Sequence, residues 1–141
     1  MTTKNIELVK NSWASVATMD METVGGLFYN RLFEIAPDVK PMFSKSSMPE
    51  QSKKLLTMLS YVIAKLGKLE DIIDEVAKLA RRHEGYGVKA DHYTAVGSAL
   101  LWTLEQGLGT QWNLELKAAW IEVYTVLSEA MINSAKEAVL A

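Results

Sequence analysis

The chain has 141 residues, 49% apolar and 23% charged, with a net charge of −2. That is enough chain to bury one substantial core without metals or disulfides, and the balance is that of a soluble globular domain spanning residues 1–141. It has no cysteine, which excludes a disulfide scaffold, thiolate metal ligands and cysteine catalysis. Charges of both signs are interspersed, leaving no footprint for nucleic acid. No apolar run reaches membrane-spanning length. The first residues carry no apolar leader, so the expected location is the cytoplasm.

Taken in order, residues 4–18 place Ile6, Val9, Trp13 and Val16 on one stripe and predict a first amphipathic helix. Asp20 is the expected N-cap of a second helix reaching about Ile35, with Val24, Leu27, Phe28, Leu32 and Ile35 inward. Gly25 and Gly26 sit inside that helix at about 1 kcal/mol each relative to alanine. Close approach of another helix would explain them. Pro37 ends the helix, Pro41 forbids a long regular one, and Phe43 closes a short corner around residues 36–42.

Ser47-Met-Pro-Glu50 reads as a capping box. The helix after it should run to about Leu66, with Leu55, Leu59, Val62, Ile63 and Leu66 inward and Gly67 as its stop. A shorter helix from about Glu70 leads to His83. Asp91 is the expected cap of the next, whose face is Tyr93, Val96, Leu100, Leu104 and Leu108, ended by Gly107 and Gly109. A last helix from about Asn113 to Ala138 carries Trp120, Val123, Tyr124, Leu127, Met131 and Ile132 inward. No segment alternates with a period of two and no repeat occurs. The prediction is an all-α domain of six main helices plus the corner.

Residues 76–93 hold both histidines. Val76, Leu79 and Ala80 recur at helical spacing, and His83 follows on the same face, just before Gly85 and Gly87 break the helix. An inward imidazole near a helix end is either a buried, hydrogen-bonded histidine or a metal ligand. Local periodicity leaves both open.

Several residues in order decide between them: the early Trp13; Pro37 with Phe43 six residues on; Gln51 with Leu55 a turn later; Arg81-Arg82-His83 followed by Tyr86-Gly87-Val88; Tyr93 with Val96-Gly97; and Ala119-Trp120. Along essentially the whole chain this set resembles a globin. The likeness is to single-domain bacterial globins and the globin domain of flavohaemoglobins, with some to neuroglobin.

The resemblance implies a globin fold around a b-type haem, with His83 as the proximal iron ligand through Nε2 and its Nδ1–H oriented by a neighbouring carbonyl or side chain. Phe43 would stack on the porphyrin; by itself it would be a core aromatic. Tyr29 and Gln51 would line the distal side and donate to bound O₂, with Leu55 as an apolar wall; each such bond is worth about 1.5–3 kcal/mol. Outside the resemblance, Tyr29 is a helix tyrosine with a surface hydroxyl and Gln51 an exposed polar residue.

Val88, Tyr93, Val96 and Leu127 are candidates for the proximal lining, and Lys54, Arg82 and His92 for pairing with the haem propionates. His92 is expected at the surface or the haem edge. The expected ligands are O₂, CO and NO, with an open sixth position on the iron. The family's glutamate partner of the proximal histidine falls near Ala135 here, with Glu137 on another face, which puts peroxidase-like activation in doubt. No Gly-rich dinucleotide motif is present, so a separate reductase would have to supply electrons. Three functions follow for test: high-affinity reversible O₂ binding, nitric oxide dioxygenation with an external reductase, and a haem-free helical interaction module.

Overall fold

A computed structural model describes residues 2–44, 46–68, 73–85 and 89–140, with the backbone alone at 73, 84, 85, 90 and 134–140. Among the described residues there are six α-helices and no strand: α1 (Thr3–Val16), α2 (Met21–Ile35), α3 (Met48–Ala64), α4 (Ile73–Gly85), α5 (Ala90–Leu108) and α6 (Leu114–Leu140). The corner Pro37–Phe43 is a 3-10 helix, which suits prolines that forbid continuous α-helical bonding there.

The helix starts follow side-chain chemistry. The carboxylate of Asp20 accepts from the Thr23 backbone N–H at 3.0 Å, and the Ser47 hydroxyl from that of Glu50 at 3.3 Å. Asn113 Oδ1 caps α6 by accepting from Leu116 N–H at 2.8 Å. Each satisfies an orphan donor of a first turn. The start of α5 differs from expectation. Its N-cap is Lys89, and His92 accepts the Lys89 backbone N–H through Nδ1 at 2.9 Å, while Asp91 lies in the first turn. Histidine here does the work expected of the aspartate. The predicted start of α4 at Glu70 lies outside the described residues.

α2 is the central element, packing on α3 and α5, while α6 packs on α1 and α4. The core runs through Val9, Trp13, Phe28, Leu32, Leu104, Ala119, Trp120 and Val123. Two tryptophans tie it together: Trp120 donates to the buried Ser12 hydroxyl at 2.9 Å, and Trp13 to Ser60 at 2.9 Å, with the two rings 6.1 Å apart. Such N–H groups need partners when buried.

Two expectations about inward faces change. Ile35, expected inside, is 40% exposed because α2 ends there and its last side chain overhangs the corner. On α3, Val62 and Ile63 are buried as expected, but in its first half Ser52 and Leu56 are the buried residues while Leu55 and Leu59 are half-buried. Gly25 explains the shift. A Cβ on it would stand 2.2 Å from the Ser52 Cβ and 2.9 Å from the Ser52 Cα, so α2 and α3 touch almost backbone to backbone. Gly26 has nothing within 4 Å. One glycine of the pair, not both, admits the neighbouring helix.

Candidate functional site

α3 rests on α2, and α4 rests on α6, but α3 and α4 do not pack on each other as those pairs do. Several large side chains are only half-buried while packing on the core, among them Phe33, Phe43, Leu55, Leu59, Val96 and Leu127. Half-exposed apolar residues against the core of a fold are what a flat apolar ligand would cover.

His83 stands near the end of α4, half-buried. Its Nδ1 lies 2.8 Å from the carbonyl oxygen of Leu79, one turn back. A carbonyl only accepts, so Nδ1 carries the proton and Nε2 carries the ring's lone pair. This is the tautomer an iron-binding imidazole needs, oriented by a backbone carbonyl. The ring of Tyr93 on α5 lies nearly parallel to the imidazole, at 29° with centroids 6.4 Å apart.

Tyr29 on α2 is 3% exposed, so the surface-hydroxyl alternative for it does not hold. Its ring meets Phe28 at 5.0 Å, Phe33 at 6.0 Å and Phe43 edge-on at 5.3 Å. Burial raises the pKa of its hydroxyl, and the facing Gln51 side chain pulls it partly back. Gln51 is therefore the polar side chain beside the Tyr29 hydroxyl. Gln51 itself is half-buried in the first turns of α3, four residues before Leu55 and on the same face.

The structure thus brings Tyr29, Gln51 and Phe43 together and sets His83 beside Tyr93. Val96, Leu127 and Leu55 share the half-buried set. Val88 lies outside the described residues, as do the side chains of Ala135 and Glu137. Arg82 and Lys54 are exposed. His92 is engaged elsewhere: Nε2 donates to Asp38 at 2.9 Å while Nδ1 accepts from Lys89, so both ring nitrogens are occupied. That contact ties the corner to the start of α5 and holds the Asp38 carboxyl below its ordinary value. A cavity of about 610 Å³ opens beside it, lined by Ile35, Met42, Lys89 and Ala95 among others, and includes neither His83 nor Tyr29.

Sequence reasoning missed Phe33, which packs on both Tyr29 and Phe43. Its position four residues after Tyr29, on the same helical face, was a usable signal. It also missed Ser52 and Asp38, whose roles come from partners far along the chain.

The residues present fit a haem. Half-buried apolar side chains lie against the core, His83 has the tautomer that iron binding needs, and Tyr29 and Gln51 offer hydrogen-bond donors.

Comparison with known proteins agrees with this arrangement. The chain is 32% identical over 140 residues to the anaerobic nitrite reductase GLB0 of Physcomitrium patens, covering 89% of this chain and 77% of that protein. It is 28% identical over 136 residues to the flavohemoprotein of Bacillus subtilis, covering 95% of this chain but 34% of that protein. The solved structure of a bacterial globin from Campylobacter jejuni superposes with a TM-score of 0.85 at 27% identity, over 99% of this chain and 100% of that one. The family model described as Globin matches residues 26–131. With the helices in the globin arrangement and the family model spanning most of its length, this chain belongs to the globin family.

Proposed function

We propose that the chain holds a haem b, that His83 would bind its iron, and that the protein binds O₂ reversibly and tightly, with CO and NO as further ligands. Haem binding itself follows from the family; the identity of the haem and the choice of ligand are our reading. When bound, the haem would supply a ferrous iron to which a diatomic ligand attaches. Everything else is done by the chain. Leu79 O holds the proton on His83 Nδ1 and so aims Nε2. Phe43 and Phe33 present ring surface against which a porphyrin packs, and Leu55, Val96 and Leu127 supply apolar lining that keeps water out.

The observation that carries the reading is the buried Tyr29 with Gln51 at its hydroxyl. A phenol O–H and an amide N–H side by side can each donate to a bound ligand, and that is the distal contact we infer. A ligand with partial negative charge gains from it, and a less polar ligand such as CO gains less. One such bond is worth about 1.5–3 kcal/mol.

Absorption spectra of ferric, ferrous, O₂-bound and CO-bound protein test this. A Soret band that His83→Ala removes is the expected result. A normal ferrous spectrum in that variant would sink the ligand assignment, and no haem at all in purified protein would leave a helical interaction module. The same distal pair favours a second reading, nitric oxide dioxygenation, because tight retention of O₂ is its first requirement. Consumption of nitric oxide by the O₂-bound protein, with a supplied reductant, separates that reaction from binding alone.

A further inference from the structure

Gly97 lies on α5 one turn after Tyr93. A Cβ on Gly97 would stand 2.7 Å from Cε2 and 3.1 Å from Cδ2 of Tyr124, so the Tyr124 ring fills the space a side chain would need. From that seat the Tyr124 hydroxyl donates to the carbonyl oxygen of Tyr93 at 2.5 Å. In an α-helix that carbonyl is the acceptor for the Gly97 N–H, so the peptide of Tyr93 is gripped from α6 as well as from within α5. The contact is sheltered: burial drives the Tyr124 hydroxyl far above the ordinary tyrosine range.

The other end of Tyr93 is its ring, which lies along the imidazole of His83. His83 sits on α4, and α4 is braced by α6, the same helix that carries Tyr124. One helix therefore sets both sides of the phenol–imidazole contact. The bond from Nδ1 to Leu79 O restrains rotation about Cβ–Cγ, because Nδ1 lies off that axis. A hydrogen bond tolerates a spread of angles, and a ring beside the imidazole can narrow it.

We propose that Tyr124, seated on Gly97, is a positioning residue for the His83 imidazole: by holding the Tyr93 peptide it sets where the phenol stands beside the imidazole and so limits the play left by the Leu79 bond. This rests on the reading of His83 as the iron ligand only where the consequence for iron is concerned; the packing relation stands in the haem-free protein. Tyr124 touches neither ligand nor iron. It acts through Tyr93.

The test uses Tyr124→Phe, which removes one hydroxyl and keeps the ring, and Gly97→Ala, which keeps the hydroxyl and displaces the ring, with Thr125→Ala on the exposed face of α6 as a control. In haem-free protein, the His83 Cε1–H resonance is expected to shift in both variants and to stay in place in the control, since the ring current of Tyr93 changes. In the ferrous haem protein, the iron–histidine stretching band in resonance Raman is expected to shift or broaden in the same two variants. A His83 resonance unchanged in both, with only a lower melting temperature, overturns the proposal and leaves Tyr124 a structural residue. A shifted resonance in the haem-free protein without any iron–histidine band in the wild type upholds the positioning relation and overturns the ligand assignment, so the two failures are distinct.

Discussion

Gly25 and Ser52 are the point at which α2 and α3 touch: a Cβ on Gly25 would lie 2.1 Å from the serine Oγ and 2.2 Å from its Cβ. Tyr29 stands one turn beyond Gly25, and Gln51 is the immediate neighbour of Ser52. The crossing therefore bears on the separation of Tyr29 and Gln51, the two residues proposed as distal donors. Because the Ser52 Cα is itself only 2.9 Å from the built Cβ, no side-chain rotation relieves the overlap. Gly25→Ala has to move the helices apart. Overpacking of this kind costs about 1–3 kcal/mol, measured as a lower midpoint in urea. It is also expected to speed O₂ release, whereas Gly26→Ala, with open space around it, does neither. Pairing Gly25→Ala with Ser52→Gly returns room to the crossing and should recover both properties in part.

Tyr29→Phe keeps the aromatic contacts with Phe28, Phe33 and Phe43 and removes only the hydroxyl. Loss of one charge-assisted bond to the ligand corresponds to roughly a ten- to hundredfold faster O₂ dissociation. Stopped-flow displacement of O₂ by CO measures it. An unchanged rate would mean that the phenol proton does not reach the ligand.

The two buried tyrosines also set an alkaline limit. Burial raises the pKa of Tyr29 and of Tyr124 above the usual 10.0. Above that value the unfolded chain releases protons that the folded chain keeps, so stability is complete below about pH 10 and falls as the pH rises beyond it. Melting temperatures across the alkaline range are expected to fall less steeply in Tyr29→Phe and in Tyr124→Phe than in the wild type. Parallel curves would show that these hydroxyls do not carry the dependence.

At the acid end the relevant pair is Asp38 and His92. The hydrogen bond from His92 chiefly holds the Asp38 carboxyl below its ordinary 3.8. A depressed carboxyl contributes stability above its unfolded value and loses it as the pH falls through the lower folded value. Asp38→Asn is therefore expected to differ from wild type at neutral pH and to converge with it as the pH falls through the lowered folded value. Asp38 is exposed, so the difference is small and weakens with added salt. Its location makes it readable by hydrogen exchange at the start of α5, where Lys89 N–H is bonded to the same imidazole.

Much of the helix plan is legible without a fold. Val9, Trp13 and Val16 on α1, or Val62, Ile63 and Leu66 around the end of α3, recur at the spacing of one helical face, and all are buried. Asp20 and Ser47 cap the helices they precede because a short polar side chain satisfies an amide three residues on. Even the orientation of His83 is local, since its partner is the carbonyl of Leu79 four residues before it. The inward histidine, its tautomer and the ends of most helices are thus consequences of neighbours within a turn or two.

What local chemistry cannot encode is which helices cross and at which residue. Gly25 and Gly26 look alike in the chain, and only the arrival of Ser52 makes one of them obligatory. His92 is a propionate candidate by sequence, and only the fold brings Asp38, 54 residues away, to its Nε2. Tyr124 read as one more apolar-face residue until Gly97 and the Tyr93 carbonyl gave its ring a seat and its hydroxyl a target. Periodicity determines which side of each helix is apolar, because burial is rewarded by area and area is indifferent to partner. The choice of partner rests on close, directional contacts between segments far apart in the chain, and those exist only once the helices have packed.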